Sequence, residues 1–145
     1  MATTTWTART TPDKVWDVLA DGWLFPLWVV GACRIRGVDD TWPAPGARLH
    51  HSVGLWPVLL DDNTEVVACE PGESLELQAR AWPIGEARVQ LRLRSADDGG
   101  TEIELQEDVT HGPGIALPKP LRGGALHWRN KETLRRLAML AEGRS

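Results

Sequence analysis

The strongest constraint on the fold lies between residues 74 and 109, where the hydrophobic period is two for most of three consecutive segments. SLELQARA sets Leu75, Leu77, Ala79 and Ala81 on one side. EARVQLRLR does the same with Ala87, Val89, Leu91 and Leu93, and TEIELQEDV with Ile103, Leu105, Glu107 and Val109. Successive residues of a strand point to opposite faces, so each segment reads as a strand with one apolar face. PIG and DDGG separate them, and DDGG is a hairpin signal. Strands joined this tightly form an antiparallel meander, and its apolar face needs a cover.

The remaining segments fit that frame. TTTWTAR, residues 3 to 9, is a Thr-rich strand. In TPDKVWDVLA, Thr11 suits a helix cap, Pro12 the first helical position and Asp13 the positive end. Val15, Trp16, Val18 and Leu19 follow at helical spacing, and Gly22 marks the stop. Residues 23 to 28 are expected to form a second short helix, bent or stopped at Pro26. ACRIRGV, RLHHSVGLW and NTEVVACE read as strands, with DDNT between the last two as a turn or a strand entrance. Pro71-Gly72 marks a further turn. After the Gly- and Pro-rich HGPGIALPKPLRGG, a helix of about 18 residues is expected from Ala125 on. Leu126, Asn130, Leu134, Leu137 and Ala141 lie near one stripe of it.

The expected class is α+β: one antiparallel sheet of about seven strands, two short helices after the first strand, and a long C-terminal helix as cover. At 145 residues the chain suits a single domain spanning 1–145. A curved sheet gripping one helix cannot close along its whole length, and the space left at one end is a pocket roofed by the short helices.

Composition excludes several partners. The net charge is −4 and there is no basic stripe, so nucleic acid is not expected. RNKETLRR, at 129–136, is instead the solvated face of a helix. No run reaches the ~18 apolar residues of a spanning helix, so membrane insertion is not expected. The N-terminus has no signal core, and Cys33 and Cys69 stand in no metal spacing. Buried thiols in a cytoplasmic protein follow as the expectation, with no metal and no cofactor. The oligomeric expectation is a monomer or a homodimer. Eight Trp beside one Phe and no Tyr, with Arg far outnumbering Lys, follow GC-rich codon use in part. Position, not count, must therefore carry any functional argument.

Alternation singles out two polar residues. Glu107 shares the apolar face of its strand with Leu105, where a carboxylate must find a partner or a higher pKa. It is the first candidate for a general acid or base, or for an acceptor of a ligand hydroxyl. Asp108 faces the other way. His51 shares a face with Leu49 and Val53 and is the second candidate, as proton shuttle or donor. Both have plain structural alternatives, a Glu107–Arg129 pair and a satisfied core histidine. Leu49, Val53 and Leu105 are expected as pocket walls. On the last helix, Asn130 interrupts the apolar stripe and can hold a ligand carbonyl or cap backbone groups; His127 and Arg129 flank it. His111 opens the Gly/Pro loop at the expected pocket rim.

This order of elements resembles the helix-grip or START-like (SRPBCC) superfamily, with its polyketide cyclase/dehydrase-like members. VWDVLADGWLFPLWVVGA, WPAPGARLHHSVG and RNKETLRRLAMLAEG carry the likeness, which with the strand order covers nearly the whole chain. The resemblance implies a cavity between sheet and C-terminal helix, with Trp23, Phe25 and Trp28 partly core and partly pocket wall. It implies a binding module or carrier for a hydrophobic, aromatic or polyketide-like small molecule. A cyclase or dehydratase moving protons through Glu107 and His51 is the alternative, and a co-chaperone-like interaction domain the third reading. No G-x-S-x-G elbow and no phosphate-binding glycine loop is present.

Overall fold

The computed structural model describes the backbone of residues 2–29, 32–55, 58–81, 85–111 and 119–143, and side chains at 3–29, 34–52, 61–80, 85–110 and 127–143. Strand β1 (Ala2–Ala8) is followed by helix α1 (Pro12–Ala20), a 3₁₀ turn (Gly22–Leu24) and helix α2 (Phe25–Trp28). Then come β2 (Ala32–Val38), β3 (Arg48–Leu55), β4 (Val58–Glu70), β5 (Ser74–Ala81), β6 (Gly85–Ser95) and β7 (Thr101–His111), and finally helix α3 (Lys119–Glu142). The seven strands form one antiparallel sheet in the order β1-β7-β6-β5-β4-β3-β2. The meander is thus closed by the first strand returning beside the last. Helix α3 packs against β1, α1 and α2, and covers the apolar face of the sheet.

Cross-strand pairing turns the alternation of single strands into rows. Leu75 pairs with Leu91, Leu91 with Leu105, and Leu105 with Thr4. The next row runs Val66, Leu77, Val89, Glu107. Beyond it, Thr64 pairs with Leu49 on one side and Ala79 on the other. Opposed residues on one face have Cβ atoms about 4.5–5.5 Å apart, so these rows form a continuous surface. Leu134, Leu137, Ala138 and Ala141 of α3 are buried against the core.

Several boundaries differ from those the sequence suggests. The hairpin between β3 and β4 turns earlier than DDNT: Asp61 and Asp62 lie inside β4, opposite Ser52 and His51. The Ser52 hydroxyl donates to Asp61 at 2.6 Å, and the continuous ladder outweighs the poor strand propensity of Asp and Asn. Helix α3 begins at Lys119, with Pro120 in its first turn, where the missing N–H costs nothing. It carries Gly123 and Gly124, which the expected loop had absorbed. Pro26 likewise starts α2 instead of stopping a helix. Thr11 occupies the cap position of α1 without a side-chain capping bond. Two register shifts interrupt the alternation of β2. Among the described residues, no helix is long and apolar enough to cross a membrane.

Candidate functional site

The 3₁₀ turn and α2 form a short lid at one end of the sheet. Asp21 caps the turn by accepting from the Trp23 amide at 3.1 Å. Gly22 sits so close to β2 and β3 that a Cβ on it would lie 2.8 Å from Val38 Cγ1 and 3.2 Å from Leu49 Cδ1. The turn is thereby pressed onto the sheet. One helical turn on, Phe25 and Trp28 face inward together, their rings edge to face with centroids 5.1 Å apart.

Between this lid, the sheet and α3 lies a cavity of about 100 Å³. Phe25, Trp28 and Val29 line it from the lid. Thr64, Leu77, Ala79, Val89, Leu105 and Glu107 line it from the sheet, and Arg129, Asn130 and Thr133 from α3. The sheet residues belong to the three rows described above, which is why four different strands meet there.

Glu107 is buried on this wall, and its Oε1 accepts a hydrogen bond from Arg129 Nη2. The carboxylate on the apolar face has thus found a cation, contributed by the facing helix. His51 is buried too, one layer back from the cavity. Its ring stacks on Phe25 with centroids 6.3 Å apart and 13° between planes. Its Nε2 lies 2.9 Å from Thr64 Oγ1. Burial pushes the His51 pKa down, more than the carboxylate of Asp62 raises it; Arg36 and His50 add to the lowering. The structure does not bring the two acid–base candidates into contact: Glu107 bonds Arg129 and His51 bonds Thr64.

The other expected wall residues divide. Phe25, Trp28, Leu105 and Asn130 line the cavity. Trp23 does not: it is 59% exposed and lies over an outer groove with Asp21, Asp39, Asp40 and Trp42. With Phe25 and Trp28 turned inward on a helix this short, neighbouring Trp23 and Leu27 are left in solvent. Leu49 is fully buried, but it packs under Gly22 instead of lining the cavity. His127 is exposed on α3, its Nδ1 3.3 Å from the Thr4 hydroxyl. The side chains of Val53, Cys33, Leu126 and His111 lie outside the described residues. Cys69 is half-buried, not buried, and desolvation raises its thiol pKa.

Thr64 and Thr133 are cavity residues that the sequence did not single out. Alternation along NTEVVACE places Thr64 with Val66 on the inner face, and that was the signal that could have found it. Three buried polar atoms at or beside the cavity have no hydrogen-bond partner among the described residues: Trp28 Nε1, Asn130 Nδ2 and His51 Nδ1.

No family model and no curated protein matches the sequence. Solved structures do match it along nearly its whole length. The Zhui aromatase/cyclase from Streptomyces sp. R1128 superposes with a TM-score of 0.74 at 16% identity, over 97% of this chain and 92% of that one. Ara h 8.0201 superposes with a TM-score of 0.73 at 14% identity, over 98% and 97% of the two chains. The di-domain ARO/CYC StfQ from the steffimycin biosynthetic pathway gives a TM-score of 0.68 at 14% identity, over 98% of this chain and 44% of StfQ. Identities this low carry the architecture and not the activity. The seven-stranded meander, the lid after its first strand and the covering C-terminal helix give this chain the helix-grip fold that these solved structures share.

Proposed function

We propose that this protein binds a small apolar molecule, aromatic or polyketide-like, in the cavity between the sheet and α3. The cavity itself carries the reading: Phe25 and Trp28 of the lid and Leu77, Val89 and Leu105 of three sheet strands give it apolar walls. Its size sets the scale of the guest. Pockets that bury drug-sized molecules run to ~300–1,000 Å³, whereas a dry cavity of ~150 Å³ holds benzene. At about 100 Å³ this one accommodates a single ring or a comparable end of a larger molecule.

Binding is favoured here over proton-transfer catalysis. Glu107 is engaged by Arg129, and His51 reaches the cavity only through Thr64. The aromatase/cyclase match supports an aromatic guest through shared architecture alone.

Titration with ethylbenzene, followed by the indole signals in nitrogen-15 correlation spectra, tests the reading. Saturable shifts at Trp28 are expected in the natural protein. Ala79→Leu, which fills the cavity from β5, should abolish them while leaving the fold intact. Saturable binding that survives Ala79→Leu, or no binding at all, would overturn the proposal.

A further inference from the structure

Thr64 is buried on β4 and lines the cavity, and its single described side-chain bond is the 2.9 Å contact with His51 Nε2. That contact admits two proton arrangements, and they differ in what they offer a guest. Burial keeps His51 neutral near pH 7, so its ring carries one N–H. If Thr64 donates to Nε2, the ring proton is on Nδ1, which is buried without a partner. If Nε2–H donates to Thr64, Nδ1 is a bare lone pair. An orphaned buried N–H is rarer in proteins than an under-used acceptor, so the second arrangement is preferred. It leaves the Thr64 hydroxyl proton unspent, and no other described residue accepts it.

The rest of the wall points the same way. Trp28 Nε1 and Asn130 Nδ2 are donors without acceptors, and Glu107 already accepts from Arg129. A buried donor left unpaired carries its full desolvation penalty. A guest that supplies acceptors would relieve it; one that supplies further donors would not.

Resting on the reading of the cavity as a binding site, we propose that Thr64, held by His51 Nε2–H, donates its hydroxyl proton to a carbonyl or ether oxygen of the guest. The site thereby selects a neutral oxygenated ring over the hydrocarbon of the same shape. Thr64 is the specificity-determining residue, and His51 acts through it as a positioning residue.

Two measurements test this. Imidazole nitrogen-15 shifts of the natural protein should show Nε2 protonated and Nδ1 bare; the opposite tautomer overturns the proposal without any ligand. Calorimetric titration then compares acetophenone with ethylbenzene. Acetophenone should bind about 3- to 10-fold more tightly, the worth of one net hydrogen bond. Thr64→Val should reduce that preference, read as the ratio of the variant's own two affinities, to within about 2-fold, and Thr64→Ser should retain it. A preference that survives Thr64→Val, or is absent in the natural protein while ethylbenzene binds, overturns the role of Thr64 alone. Failure of both probes to bind overturns the cavity reading and this inference with it.

Discussion

Glu107 on β7 and Arg129 on α3 meet across the gap between sheet and helix, the carboxylate accepting from the guanidinium. Glu107 occupies a row otherwise made of Val66, Leu77 and Val89. The pair therefore sets a charged clamp at the edge of an apolar cavity and ties α3 to the sheet at that point.

Removing one half of a buried pair strands the other. Full burial of both would make that loss ~3–5 kcal/mol, but Arg129 is 38% exposed and solvent screens it. Arg129→Met is expected to lower stability by about 1–3 kcal/mol in urea unfolding. Glu107→Gln should cost less, because the amide still offers an oxygen. The double variant should be less damaging than the two single changes added together; strict additivity would show that the residues do not support one another.

Gly22→Ala should be destabilising although alanine is the better helix former. The new methyl would meet Val38 Cγ1 at 2.8 Å and the fully buried Leu49 at 3.2 Å, and neither strand can retreat without disturbing its ladder. Overpacking of this kind costs about 1–3 kcal/mol. In a chain of this size the midpoint of thermal unfolding should fall by roughly 2–4 °C per kcal/mol. An unchanged midpoint would mean that the lid does not bear on β2 and β3 in solution.

His51 makes stability depend on pH in a defined direction. Its pKa is lowered in the folded state, mainly by burial, with Arg36 and His50 adding to the effect and Asp62 opposing it. The unfolded chain thus takes up a proton at a higher pH than the folded one. This contribution to stability is complete above the unfolded value of about 6.5 and declines as pH falls below it, by at most about 1.4 kcal/mol per unit. It levels off once the folded protein also protonates. His51→Phe should flatten the urea-midpoint profile just below pH 6.5, above the range in which the carboxylates titrate. A slope unchanged by that substitution would assign it to other groups.

What could be read from the sequence follows from periodicity. The sheet strands alternate over several residues, so the inward positions of Glu107 and His51 were legible from spacing alone. Helix α2 is four residues long and offers no period, so spacing alone could not tell the exposed Trp23 from the buried Phe25 and Trp28. Thr64 was hidden for another reason: it shares the inner face of NTEVVACE with Val66, but a threonine is at home in any strand, and only the pairing of β4 with β3 brings it to His51. The Arg129–Glu107 pair could be named as an option but not decided, because the approach of α3 to β7 is a tertiary fact with no local signature.

Leu105 separates the stability of the wall from the capacity of the cavity. It is 2% exposed, lines the cavity, and pairs with Leu91 and Thr4 on the neighbouring strands. Leu105→Ala removes wall without removing any of the polar groups around the site. Stability should fall by about 2–5 kcal/mol, the usual cost of emptying a leucine site in a core. The enlarged space should admit a guest that the natural cavity is too small to bury. Naphthalene binding should therefore be stronger in Leu105→Ala than in the natural protein, and it should raise the thermal midpoint of the variant as its concentration rises, by mass action. If naphthalene raises the midpoint of the natural protein as much as that of the variant, the natural cavity opens wider than about 100 Å³ in solution.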